Sequence, residues 1–138
     1  MQYHVGRLLD HVHLNVADLD RSARFYSAVL EALELPVGQL NEHFFQADEL
    51  FISRPGPGQK LSQVHIAFQA RDEAMIRRFY EAALKAGGND NGSPGERTKY
   101  HPGYYAAYVF DPDGNNIEAV IHGKEKRSAP SVVREPVE

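Results

Sequence analysis

The chain contains no cysteine and no tryptophan in its 138 residues. Without thiols there are no disulfides, no thiolate nucleophile and no cysteine-bound zinc, so His, Asp and Glu are the only strong metal ligands available. No stretch approaches the roughly 18 consecutive apolar residues of a membrane span, and Met1 to Leu9 lacks the apolar core of a secretory signal. The expectation is a cytoplasmic location with no membrane partner. Basic excess is missing too. The 15 Lys and Arg residues stand against 19 Asp and Glu, a net charge of -4, which leaves no stripe for a phosphate backbone and argues against nucleic acid as a partner. What remains, 42% apolar and 25% charged residues in alternating patterns, is the composition of one globular domain of ordinary size.

Short catalytic signatures are also absent. There is no His-Glu-x-x-His helix, no nucleophile elbow, no phosphate-cradling loop and no dinucleotide fingerprint. Any site must therefore be assembled from residues distant in sequence, and an internal repeat suggests how. Shifting the sequence by about 54 residues lays Val64–Ala86 over Asp10–Ala32. His11 then matches His65, Asp18 matches Asp72, and Arg24-Phe25-Tyr26 matches Arg78-Phe79-Tyr80.

In each copy the matched stretch reads as a strand, a turn and a helix. His11 to Val16 alternates polar and apolar residues, the period of a half-buried strand, so His11 and His13 share a face. Asp18 or Asp20 can cap the following helix, whose Ala23, Tyr26, Leu30 and Leu33 recur at helical spacing and which ends before Pro36. In the second copy Val64–Ala70 is the strand, and Asp72 leads into a helix stopped by Gly87-Gly88. Strand-like runs follow each helix, at about 42–47 and 50–53, then about 104–110 and 116–121. Arg54 to Gly58 reads as a stiff linker and Asp111-Pro112-Asp113-Gly114 as a tight hairpin turn. Residues 88–103 read as a long exposed loop, and residues from about 124 as a peripheral tail.

His11 and His65 hold the same position in the two copies, and Glu118 lies just past the hairpin turn. Two imidazoles and a carboxylate form a three-ligand set suited to Fe, Mn, Zn or Ni with open positions for substrate. The Phe25-Tyr26 and Phe79-Tyr80 pairs fit core packing. His13 is matched by Ala67, which favours a pocket-lining or core role over ligation, and His4, His43 and His122 read as surface residues.

Leu9-Asp10-His11-Val12, Asp18-Leu19, Ser22…Phe25-Tyr26, His65-Ile66-Ala67-Phe68 and Asp111-Pro112-Asp113-Gly114-Asn115-Asn116-Ile117-Glu118 together resemble the vicinal-oxygen-chelate superfamily of glyoxalases, extradiol dioxygenases and bleomycin- and fosfomycin-resistance proteins. The resemblance spans about residues 8–122. It implies an α+β fold of two tandem βαβββ modules forming a cupped mixed sheet: one domain over 1–123, with modules at about 7–54 and 62–123 and a tail at 124–138. It implies His11, His65 and Glu118 as ligands of a divalent metal, and a homodimer in which His11 joins His65 and Glu118 of the partner chain. Tyr108 stands where dioxygenases and thiol transferases of the superfamily often carry a tyrosine facing the metal, placed to donate a hydrogen bond to a metal-bound oxygen.

Glyoxalase I members use a fourth carboxylate on the last strand of the first module. Here the matching position falls near 51–53, where there is none. The loop supplies Arg97, Lys99, Tyr100 and Tyr104 as substrate-binding candidates and His101 as a general acid or base. An aromatic lid or a dimer contact is the other reading of the 100–105 cluster. The functional expectation is a metal-dependent enzyme acting on a small chelating oxygenated substrate, of glyoxalase-like lyase, dioxygenase-like or thiol-transferase type. The alternative is a non-catalytic drug binder of the bleomycin-resistance kind.

Overall fold

The computed structural model describes residues 1–36 and 38–137; Val37 and Glu138, the last residue of the expected tail, lie outside it. The first module contains β1 (Val12–Asn15), α1 (Leu19–Ala32), β2 (Gln39–Leu40), β3 (Phe44–Ala47) and β4 (Leu50–Ser53). The second contains β5 (His65–Gln69), α2 (Glu73–Lys85), β6 (Asn89–Glu96), β7 (Tyr105–Phe110) and β8 (Asn116–Ile121). Each module folds its strands into a four-stranded sheet, in the orders β1-β4-β3-β2 and β5-β8-β7-β6. In both sheets the first strand runs parallel to the last and the others pair antiparallel. The expected α+β architecture of two tandem βαβββ units in one domain is therefore present.

The helices begin where a short carboxylate side chain can accept a free backbone N–H. Asp18 accepts from Arg21 N at 3.1 Å and Asp72 from Met75 N at 2.8 Å. α1 closes when Glu34 turns left-handed at φ 59°, two residues before Pro36. α2 closes at Gly87, φ 101°. Its neighbour Gly88 is needed for a different reason. A Cβ there would stand 2.8 Å from the Phe25 ring and 2.9 Å from the Ala83 and Phe110 carbonyls, so only glycine lets the chain pass between the helices and β7.

α1 and α2 pack on each other, and each covers one face of its own sheet, so a single core joins the modules. Leu14, Phe25, Val29, Phe45 and Ile52 of the first module and Ile76, Phe79, Ala107, Val109, Ile117 and Ala119 of the second all belong to it. Side chains alternate along a strand, so the opposite face of each sheet lies outside this core. In the first module that face carries His11, His13, Asn15, Phe44, Phe51 and Ser53. In the second it carries His65, Ala67, Tyr108, Glu118 and Val120.

One region departs from the sequence reading. Residues 88–103 are not a single exposed loop, because Asn89–Glu96 forms β6, an edge strand on β7. Nothing apolar alternates in Asn-Asp-Asn-Gly-Ser-Pro-Gly-Glu, so no strand period is visible. The strand exists because β7 offers it a ladder, with bulges between Asp90 and Gly92 and between Gly92 and Gly95. Only residues 97–104 form the connecting loop.

The modules are also tied by a buried polar link. The Tyr26 hydroxyl donates to Asp111 Oδ2 at 2.6 Å, joining α1 to the hairpin turn of the other module. Burial, then the Asp111 charge, hold the Tyr26 phenol well above its ordinary pKa. The folded chain keeps this phenol protonated where the unfolded one ionises, so its contribution is complete below about pH 10 and declines as pH rises beyond it. Tyr26→Phe should lower stability by about 1.5–3 kcal/mol at neutral pH, the worth of a hydrogen bond to a charged group. It should also flatten the alkaline decline; urea unfolding at pH 7 and above pH 10 checks both, and a variant with wild-type midpoints at both would refute the assignment.

Candidate functional site

Asp111 organises the turn that precedes β8. Its Oδ1 accepts the backbone N–H groups of Asp113 and Asn115 at 2.9 and 2.8 Å, and its Oδ2 accepts Asn115 Nδ2 at 2.9 Å as well as the Tyr26 hydroxyl. Gly114, φ 88°, closes the turn back onto the Asp111 carbonyl at 3.0 Å. Asn115 then uses Oδ1 to accept Val64 N at 2.9 Å, which fixes the start of β5 beside β8. One buried carboxylate thus sets both strands that carry the second-module candidates.

In that frame His65 pairs with Asn116, while Glu118 lies between Ala67 on β5 and Tyr108 on β7. His65 Nε2 stands 2.8 Å from Glu118 Oε1. The His65 side chain is 52% exposed and that of Glu118 only 1%, so a buried carboxylate lies under an imidazole at the surface. The other carboxylate oxygen, Oε2, accepts the Tyr104 hydroxyl. Burial and then this hydrogen bond push the Tyr104 phenol above its ordinary pKa. Burial also raises Tyr108, with the Tyr104 hydroxyl opposing the shift and the Glu118 charge adding to it.

Tyr108 flanks the pair, its ring centroid 6.1 Å from that of His65. The Arg97 guanidinium lies 5.4 Å from the Tyr108 ring and donates to the carbonyls of Gly95 and Ser93, both at 2.7 Å. Arg97 therefore pins the bulged β6, and its Nη1 and Nη2 are committed to backbone. Lys99 Nζ sits 5.1 Å over the exposed Tyr100 ring, which packs against Tyr104 at 4.8 Å.

Both ring nitrogens of His101, the candidate general acid or base, have partners. Nδ1 donates to the Pro102 carbonyl at 2.9 Å, an acceptor only, which in the neutral ring leaves the lone pair of Nε2 toward His122 Nδ1 at 3.0 Å. His122 is exposed, as expected of a surface residue, and it also pairs with His101. Alternation offered a signal for it: Glu118, Val120 and His122 share one parity, as do Tyr104, Ala106 and Tyr108 on the paired strand. What alternation could not show is that a tyrosine would close over Glu118 and bury it.

His11 is not brought to this pair within the chain. It precedes β1 with its side chain 62% exposed, and its Nδ1 lies 2.7 Å from Asp10 Oδ1. Among the described residues no three His, Asp or Glu side chains converge on a point that could hold a metal. His13 is exposed and contacts Ser53 Oγ at 2.7 Å and the Phe51 ring in an edge-on arrangement. Strand register also identifies the first-module counterpart of Glu118. His13, the repeat partner of Ala67, pairs with Phe51 as Ala67 pairs with Glu118. A phenylalanine stacked on Phe44 at 5.0 Å thus occupies the place of a fourth carboxylate.

The donor chemistry of the second-module pair suits a divalent ion. Adjacent ligands with bonds of about 2.1 Å stand about 3 Å apart, so an imidazole nitrogen and a carboxylate oxygen at 2.8 Å fit neighbouring coordination positions. Two protein ligands are one short of the three that a catalytic metal site ordinarily uses.

Comparison with known proteins identifies the family of the fold. Among solved structures the chain is similar to a glyoxalase/bleomycin resistance protein from Albidiferax ferrireducens T118, at 30% identity and a TM-score of 0.71, covering 82% of this chain and 98% of that one. It is also similar to oxidase ChaP-H1, at 26% identity and a TM-score of 0.56 over 81% and 93% of the two chains. A lactoylglutathione lyase from Agrobacterium tumefaciens shares the fold at 22% identity and a TM-score of 0.58, over 83% and 92%. No curated protein sequence matches the chain. The family model for the Glyoxalase/Bleomycin resistance protein/Dioxygenase superfamily matches residues 8–119, from before β1 into β8, and the chain belongs to that superfamily.

Proposed function

We propose that this chain is a divalent-metal-dependent enzyme acting on a small substrate whose oxygens chelate the metal. The observation that carries the reading is Glu118: a carboxylate 1% exposed on a sheet face outside the main core, with an imidazole 2.8 Å above it. Burying a charge is costly, and here it is met by the His65 imidazole and the Tyr104 hydroxyl. His65 and Glu118 would hold the ion together with His11 from a second copy of the chain. The exposed position of His11, on the free face of the first module, supports a role toward another molecule. The ion, Fe, Mn, Zn or Ni, would supply Lewis-acid polarisation of a bound substrate oxygen.

The chain's own residues account for the rest. Tyr108, protonated at neutral pH and beside His65, can donate a hydrogen bond to a substrate oxygen. Tyr100, Tyr104 and Lys99 wall the approach from the 97–104 loop. Phe51 at the place of a fourth carboxylate favours dioxygenase-like or thiol-transferase-like chemistry over that of glyoxalase I. A second reading, a non-catalytic drug binder, is favoured by one observation: the stacked Phe44 and Phe51 rings, with His13 edge-on, form an aromatic surface outside the core.

Metal analysis of protein purified without chelators separates the two readings. The enzyme reading expects one ion per chain, lost in His65→Ala and in Glu118→Gln; no uptake of Fe, Mn, Zn or Ni would overturn it and leave the binder.

Sharing of the site between chains has its own test. His11→Ala and Glu118→Gln chains, each metal-free alone, should recover about a quarter of the wild-type metal when unfolded and refolded as an equal mixture, because a two-fold heterodimer regains one intact site of two. No recovery, or full binding by the His11→Ala chain alone, would refute His11 as the third ligand.

A further inference from the structure

Glu118 has both oxygens occupied by side chains of different kinds. Oε1 faces His65 Nε2, which can give up its hydrogen bond and bind a cation instead. Oε2 accepts the hydroxyl of a phenol, Tyr104. The phenol's position is fixed on several sides. Its ring packs on Tyr100 at 4.8 Å and meets the edges of His101 and His122 at 5.4 and 5.2 Å. Those two imidazoles are joined to each other at 3.0 Å, with the His101 tautomer set by the Pro102 carbonyl. The loop that brings Tyr104 in is itself clamped. Gly103, φ 90°, passes so close to the end of β8 that a Cβ would stand 3.2 Å from the His122 carbonyl, and its N–H donates to Glu96 at 3.2 Å.

We propose that Tyr104 is the positioning residue of the metal centre: its hydroxyl occupies Oε2, so Glu118 offers the ion a single oxygen, Oε1, beside His65. The inference rests on the reading of His65 and Glu118 as ligands and adds how the carboxylate is made to bind. A free carboxylate can swing to chelate through both oxygens and fill a coordination position that substrate needs. Tethering by the phenol prevents that swing and keeps Oε1 at imidazole distance. Outer partners of metal ligands tune affinity in this way by about 10–100-fold.

The test is a cycle of four proteins titrated with Zn(II) and Co(II): wild type, Tyr104→Phe, Glu118→Asp and the double variant. Aspartate keeps the charge but is one methylene shorter, which withdraws it from the phenol. Tyr104→Phe should weaken Zn(II) binding about 10–100-fold in the wild type and add little in the Glu118→Asp background. The visible bands of bound Co(II) should also shift in Tyr104→Phe as the carboxylate becomes free to use both oxygens. Circular dichroism and melting temperature establish that each variant is folded; if Tyr104→Phe is not, the Co(II) bands of a His122→Ala variant, which loosens the tyrosine without removing it, should shift the same way. Equal losses in both backgrounds, or unchanged affinity and bands in Tyr104→Phe, overturn the positioning role while leaving the ligands standing. A wild-type chain that takes up neither ion overturns both.

Discussion

The carboxylate of Asp111, 1% exposed, accepts four hydrogen bonds: two from backbone N–H groups of its own turn, one from the Asn115 amide and one from the Tyr26 hydroxyl. A charge buried this deeply is tolerated only when its lone pairs are met, and here each donor belongs to a different structural task. The two N–H groups bend the chain into β8. The amide turns Asn115 so that its carbonyl oxygen can fix β5 at Val64. The phenol draws α1 of the first module against the second. Strand spacing, helix docking and the separation of His65 from Glu118 all follow from this one arrangement.

The site inherits its rigidity from that scaffold and its asymmetry from the divergence of the two copies. The repeats still share capping aspartates, buried phenylalanines and strand register, yet their free faces have become unlike. Where β8 carries Glu118, β4 carries Phe51; where β7 carries Tyr108, β3 carries Gln46. The tyrosines of the helices have separated in the same way. Tyr26 reaches across to Asp111, whereas Tyr80 bonds Asp90 on β6 of its own module. One module presents a polar cluster and the other an aromatic wall with exposed histidines.

Much of this was legible from the residues. The 54-residue shift exposes the duplication, helical spacing shows which faces of α1 and α2 are buried, and Asp18 and Asp72 stand at the caps they occupy. The hairpin turn at 111–114 and the absence of a carboxylate opposite Glu118 could also be read directly. β6 could not, because an edge strand with bulges is defined by its neighbour's free backbone groups rather than by its own side chains. The closure of Tyr104 over Glu118 depends on a loop whose path is set by Gly103 and Glu96, contacts that leave no periodic trace. His11 shows the limit of symmetry as an argument: equivalent positions in two repeats lie on equivalent faces, but within one chain these faces do not meet.

The bond between Tyr26 and Asp111 links halves that a short linker, Arg54 to Val64, makes parts of one molecule. Chemically the interface is indifferent to that covalent link, since a Tyr26 from another copy would satisfy the same carboxylate. What favours the intramolecular choice is the effective concentration set by the linker, and its far end is fastened. Ser62 N–H donates to the Asn15 carbonyl at 2.9 Å, and Asn15 N–H donates to Ser62 Oγ at 2.8 Å. These two hydrogen bonds lay the connecting segment along the edge of β1 and shorten the reach of the second half. A segment fastened in this way keeps the second half near the first, which is what a high effective concentration within one chain requires.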